Sequence, residues 1–177
     1  MREDLLEVVA ILDMSGSMRD LANDTICGFN SYISELAKGE GEARITLITF
    51  NTVCQIVWEH KSVKDCPAID SSVYHPEECT ALTDAIGIAI DNMKRHIDSL
   101  PEEQKPGRVS FFISTDGDEN SSRKYKQLQI KEMIVRQTEE EKWEFIFAGA
   151  NIDAFAASNA YGIQQQNVAN IHANGMG

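Results

Sequence analysis

An apolar run ending at Leu12 is followed by Asp13-Met14-Ser15-Gly16-Ser17, which sets one carboxylate and two hydroxyls at alternate positions of a tight turn. Three oxygens so spaced can converge on one point. Hard divalent cations take oxygen ligands in near-octahedral shells and often keep positions for water or substrate. Two further segments offer oxygens of the same kind. Thr80 opens Thr80-Ala81-Leu82-Thr83-Asp84-Ala85 ahead of a helical pattern, and Asp116 stands in Thr115-Asp116-Gly117-Asp118 after another apolar run. Both sit at strand-to-helix transitions on the rim where Asp13 is expected. Each group also has a simpler explanation: Asp13 with Ser15, or Thr80 alone, could cap a helix by accepting hydrogen bonds from orphan amides. Capping gives no reason for all of them to recur on one rim.

Other chemistries fit less well. Asp116-Gly117-Asp118-Glu119-Asn120-Ser121 imitates the start of an EF-hand, but its sixth position is Ser121 and its twelfth is Gln127, where a turn glycine and a bidentate glutamate are needed. Asp118, Glu119 and Asn120 therefore read as loop residues beside the rim. A magnesium-dependent phosphohydrolase is the alternative enzyme reading, since an Asp after the first strand of an α/β sheet also marks one such class. That class requires a second Asp where this chain has Ser15. No phosphate-binding glycine loop or nucleophile elbow is present either. His60, His75, His96 and His172 share no ligand spacing and read as ordinary surface or loop residues. Cys27, Cys54, Cys66 and Cys79 form no C-x-x-C pair and are expected to be reduced thiols. Cys66 and Cys79, which bracket one loop, are the one pair worth testing. Met14, Met18, Tyr74, Glu77 and Glu78 could surround a rim site, although packing or solvation accounts for each equally well.

The elements that must position these residues alternate along the chain. Leu5–Leu12 is a nearly continuous apolar run, as expected for a strand buried on both faces of a parallel sheet. Ala22, Ile26, Phe29, Ile33 and Leu36 step by four, three, four and three, giving one stripe of a helix that ends near Gly39. Arg44–Phe50 and Val53–Trp58, joined at Asn51-Thr52, are too close for a parallel crossover and read as an antiparallel hairpin. From Glu59 to Cys79 periodicity lapses into a long connection with room for a short strand. Leu82, Ile86, Ala89, Met93 and Ile97 restore helical spacing, ended by Pro101 and Pro106-Gly107. A strand at Val109–Thr115, a helix over Lys124–Glu139, a strand at Phe145–Ala150, a helix near Asp153–Ala160 and an edge strand at Val168–Ile171 follow. Residues 166–177 are expected to fray, above all His172–Gly177.

Such alternation implies an α/β fold: a doubly wound, mostly parallel central sheet with one antiparallel edge strand and helices on both faces. All 177 residues are expected to form one domain. With a net charge of −12 the chain repels nucleic acid and anionic lipid, and no apolar run approaches the roughly 20 residues of a membrane span. Its first residues enter a strand directly with no secretory pattern, so a cytoplasmic location and a monomeric state are expected.

Asp13-x-Ser15-x-Ser17, then Thr80-Ala81-Leu82-Thr83-Asp84-Ala85-Ile86, then Thr115-Asp116-Gly117 together resemble the metal-ion-dependent adhesion site of von Willebrand factor A domains. The resemblance extends over nearly the whole chain, including the order of elements. It implies a Rossmann-like fold and a divalent cation, Mg²⁺ first with Mn²⁺ or Ca²⁺ as substitutes, held by Asp13, Ser15, Ser17, Thr80 and Asp116, some of them through water. It further implies a binding module, not an enzyme, in which a partner protein supplies a Glu or Asp to the metal. Cys79 departs from the family pattern, where many relatives carry glycine before the threonine.

Overall fold

The computed structural model describes residues 1–116, 121–150, 154–164 and 167–171. Strand β1 spans Arg2–Asp13, and from Val8 to Asp13 every side chain is buried. It lies inside a six-stranded sheet of order β3-β2-β1-β4-β5-β6, formed with β2 (Glu42–Phe50), β3 (Cys54–Ser62), β4 (Pro106–Thr115), β5 (Glu144–Ala150) and β6 (Val168–Ile171). All neighbours pair in parallel except β2 and β3. The β2–β3 turn closes on itself: the Val53 N–H donates to Asn51 Oδ1 at 2.9 Å and the Asn51 N–H to the Val53 carbonyl at 3.1 Å.

Alternate residues of β1 feed two cores. Val8, Ala10 and Leu12 face helix α1 (Ala22–Lys38) through Phe29 and Ile33. Val9 and Ile11 face the opposite way, against Ile86, Ile90 and Met93 of α2 (Leu82–Ser99), and the same core continues to Ile130 and Ile134 of α3 (Gln127–Glu140). Each such fully buried aliphatic side chain contributes roughly 1.5–3 kcal/mol relative to exposure, which fixes β1 as the axis of the fold. A short helix α4 (Ala154–Ala160) precedes β6.

The doubly wound architecture, its parallel majority and its single antiparallel edge are as the alternation of elements implies. Boundaries differ in instructive places. β3 runs on to Ser62 instead of ending at Trp58, and the connection after it contains a single 3₁₀ turn, Val63–Asp65, in place of a strand. That connection is tied down by Asn30, whose side-chain amide exchanges two hydrogen bonds with the Ile69 backbone at 2.8 and 3.0 Å, as a strand partner would. α3 begins at Gln127, not Lys124, because the preceding backbone is claimed by Asp84. All four cysteines are free, Cys66 and Cys79 included. Among the described residues no helix is long and apolar enough to cross a membrane. The tail 172–177 lies outside them.

Candidate metal centre

In an open parallel sheet the ligand crevice opens beyond the carboxyl ends of the strands, where the winding order reverses. Here the reversal falls between β1 and β4. Leu12 pairs with Ser114, so Asp13 ends its strand beside Thr115, and Asp116 follows at once on the neighbouring strand. Parallel pairing thus joins positions about a hundred residues apart in sequence.

Asp13 is fully buried and held from two sides. The Ser15 backbone N–H donates to its Oδ1 at 2.9 Å, and the Thr115 hydroxyl donates to its Oδ2 at 2.7 Å. Burial pushes the Asp13 carboxyl above the usual carboxylate range, and the nearby charge of Asp116 pushes the same way, while the Ser15 and Thr115 donors pull it back. The Tyr74 hydroxyl donates to the Asp13 backbone carbonyl and fixes the end of the strand from the long connection. Burial raises that phenol well beyond its ordinary value, so it stays a donor.

Beyond Asp13 the chain enters a 3₁₀ turn, Gly16–Leu21, with Ser15 buried just before it and Ser17 exposed within it. Ser15 and Ser17 approach to 3.1 Å between their Oγ atoms, and Ser17 Oγ donates to Asp116 Oδ2. Asp116 is 6% exposed. Four of the candidate residues, Asp13, Ser15, Ser17 and Asp116, therefore form one continuous cluster. Ser15 occupies the N-cap position of the 3₁₀ turn without a side-chain capping bond, so capping does not explain it.

Thr80 arrives on the same rim by backbone stitching. The Glu77 N–H donates to the Met14 carbonyl at 3.0 Å, the Gly16 N–H to the Glu78 carbonyl at 2.9 Å, and the Ala81 N–H to the Asn51 carbonyl at 2.9 Å. Thr80 itself is buried, and its carbonyl accepts from the Ser121 N–H at 2.9 Å, which ties it to the segment after Asp116. Ala81, and not Thr80, is the residue that precedes α2 at the cap. Cys79 is exposed, and the unusual backbone falls one residue earlier, at Glu78, with φ of 65°. Met14, Met18 and Tyr74 are buried packing residues, whereas Glu77 and Glu78 are exposed around the rim. Gly117, Asp118, Glu119 and Asn120 lie outside the described residues.

Asp84, part of the threonine segment but not of the candidate set, has a role that sequence reasoning missed. Its carboxylate accepts the backbone N–H groups of Arg123, Lys124 and Tyr125 at 2.9, 2.9 and 2.8 Å, clasping the loop that leaves Asp116. Thr115 was missed likewise, because a threonine closing a strand looks like ordinary β-propensity.

The donor set is wholly oxygen: two buried carboxylates and three hydroxyls. It suits a hard cation, and two aspartates at most neutralise a dication.

No family model matches the chain, and no curated protein does. Solved structures do. One form of proximal thread matrix protein 1 from the mussel byssus, described with a zinc-occupied MIDAS motif, superposes with a TM-score of 0.63 at 10% identity, over 96% of this chain and 44% of that one. The manganese-loaded TRAP protein of Plasmodium vivax gives 0.65 at 15% identity, over 97% and 70%. A von Willebrand factor type A protein from Catenulispora acidiphila gives 0.60 at 15% identity, over 96% and 39%. This chain spans under half the length of the first and third. The fold is that of von Willebrand factor A domains.

Proposed function

We propose that the rim between β1 and β4 is a metal-ion-dependent adhesion site, at which a divalent cation of the Mg²⁺ class is held by Asp13, Ser15, Ser17, Thr80 and Asp116 and a partner protein's Glu or Asp completes the shell. The observation that carries this reading is the link from Ser17 to Asp116 across the switch point, with Ser15 in the same chain of contacts and Asp13 held alongside. A bound dication supplies a Lewis-acidic position open to an anionic oxygen. The protein's part is orientation and exclusion. Thr115 and the Ser15 amide aim the Asp13 carboxylate, Tyr74 anchors its backbone, and burial of both aspartates keeps water from competing for them. With a net charge of −12, the chain offers an acidic partner no long-range attraction, so capture of a carboxylate depends on the ion. Among the described residues of the rim none is placed as an activated nucleophile or base, and we read the module as binding, not catalysing.

Isothermal titration of Mg²⁺ and Mn²⁺ into the chelator-stripped protein tests the site. One equivalent is expected for the wild type, with Asp13→Ala and Asp116→Ala each losing it. Equal binding by all three proteins refutes the assignment.

A further inference from the structure

Midway along β1, Glu7 is 1% exposed, on the face that carries Val9 and Ile11 toward α2. Two imidazoles meet it there. His60 of β3 places Nδ1 3.1 Å from Glu7 Oε2, and His96, in the last turn of α2, stacks its ring on that of His60 with centroids 3.5 Å apart. One ligand atom from each of the three residues lies within 4.8 Å of the other two. Two of the polar atoms are buried with no hydrogen-bond partner among the described residues, Glu7 Oε1 and His96 Nε2. Leaving a buried polar atom unsatisfied costs roughly 1–3 kcal/mol, and here two such atoms share one cluster.

The backbone is bent to bring His60 in. Ile45 pairs with Lys61 and Leu47 with Trp58, so Glu59 and His60 share the place opposite Thr46 and form a β-bulge. His60 adopts φ of 48°, a left-handed conformation costly for a residue with a Cβ, and its N–H is held by Thr46 Oγ1 at 3.1 Å. Bulges re-aim side chains. This one turns an edge-strand histidine across β2 onto a buried carboxyl of β1. Arg44, the nearby cation, is committed to Glu42 at 2.6–2.7 Å.

We propose that Glu7, His60 and His96 form a second metal site, specific for a zinc-class transition-metal cation, which pins β3 and α2 to the middle of β1. Two imidazoles and one carboxylate are a ligand set for zinc, whereas the all-oxygen rim prefers harder ions. Zinc–nitrogen bonds of about 2.0–2.1 Å require donors about 3.3 Å apart, so a closing motion of about 1.5 Å completes the cage. Burial, foremost, and the neighbouring His60 lower the His96 pKa, which keeps that ring in the neutral form a metal requires. His60, with its side chain 20% exposed, leaves a solvent-side position for water as fourth ligand. Six residue-to-residue steps along the strand carry Glu7 to Asp13, about 20 Å at 3.3 Å each, so the two sites bind independently.

The test uses the untagged chain carrying Asp13→Ala, so that the rim aspartate is absent, and titrates it with Co²⁺ and then Zn²⁺. One equivalent of Co²⁺ is expected to give the intense visible bands of a four-coordinate centre without thiolate charge transfer, and one equivalent of Zn²⁺ is expected to displace it. Adding Glu7→Gln, which keeps the side-chain shape, or His60→Ala is expected to weaken binding at least 100-fold, with circular dichroism reporting that the metal-free fold persists. On the parent, Zn²⁺ is expected to raise Tm and shift the His60 and His96 ring resonances. Bands that survive Glu7→Gln and His60→Ala, weak six-coordinate bands, or ring resonances that move with pH but not with Zn²⁺ overturn the proposal. None of these outcomes depends on whether Mg²⁺ binds at the rim.

Discussion

Thr115→Val isolates the positioning of the rim aspartate from its identity. Valine matches threonine in shape, so the substitution removes one hydroxyl and little else. That hydroxyl donates to Asp13 Oδ2 at 2.7 Å, and both residues are fully buried, so water does not replace it. A hydrogen bond to a charged group contributes about 1.5–3 kcal/mol, a factor of roughly 10–100 in an equilibrium constant. The Ser15 amide at 2.9 Å remains, so Asp13 keeps its place with one oxygen unaimed. Mg²⁺ and Mn²⁺ affinity is therefore expected to fall about 10–100-fold, the usual cost of losing an outer-shell partner. The assay is calorimetric titration of both metals into wild type, Thr115→Val and Thr115→Ser, with thermal unfolding in chelator as the control for the fold. Thr115→Ser retains the hydroxyl and is expected to recover most of the affinity. If valine binds metal as wild type does, or if serine loses as much as valine, the hydroxyl does not position Asp13 and the reasoning fails.

Asp84→Ala removes the acceptor of three backbone N–H groups, two of them on exposed residues where water compensates in part, so a loss of about 2–3 kcal/mol is expected. At about 2–4 °C per kcal/mol for a chain of this size, Tm should drop by roughly 4–12 °C, and an unchanged melting curve refutes the clasp. Burial, and secondarily Asp84, raises the Cys54 thiol from 9.0 to about 11, so at pH 8 only about 0.1% is thiolate. Iodoacetamide at that pH should modify exposed Cys27 and Cys79 at least tenfold faster than Cys54, read by mass mapping, and equal rates contradict the burial argument. The same shift weakens the fold as pH climbs from the unfolded value near 9.0 toward 11, because the unfolded chain loses its proton first.

The sheet was legible because its strands are continuous apolar runs, and burial on both faces leaves β1 little choice of residues. The rim cluster was legible for a related reason. Ligand sites in doubly wound sheets follow strand ends, so Asp13 and Asp116 could be placed on one edge before their contact was known. What escaped was every partner whose role depends on register. Thr115 reaches Asp13 only because Leu12 pairs with Ser114. Tyr74 lies in an aperiodic connection, and nothing in its neighbours tells that its hydroxyl ends on the Asp13 carbonyl. Asp84 reads as a first-turn helical acid, and its hold on Arg123, Lys124 and Tyr125 is also why the α3 start fell three residues late. His60 and His96 were dismissed for lack of spacing, which is a criterion for local motifs. The bulge opposite Thr46 is what turns a residue of one edge toward a helix packed over the centre.

Strand β1 carries one buried carboxyl at its middle, Glu7, and one at its carboxyl end, Asp13, and the two are treated differently by their surroundings. At Asp13 both oxygens have donors, and those donors come from the turn and from the adjacent strand, so the group is held rigidly with its charge directed at the rim. At Glu7 one oxygen faces His60 and the other has no partner among the described residues. A carboxyl kept from water tolerates such an arrangement only where packing or a ligand compensates it. Apolar replacement at position 7 would serve a purely structural strand better, since buried polar groups seldom add net stability over well-packed hydrophobic ones. The bulge and the left-handed His60 add cost in the same place. Two costs at one point, with imidazole nitrogens on hand to offset them through a shared ion, are what distinguish this cluster from the exposed ion pairs elsewhere on the surface.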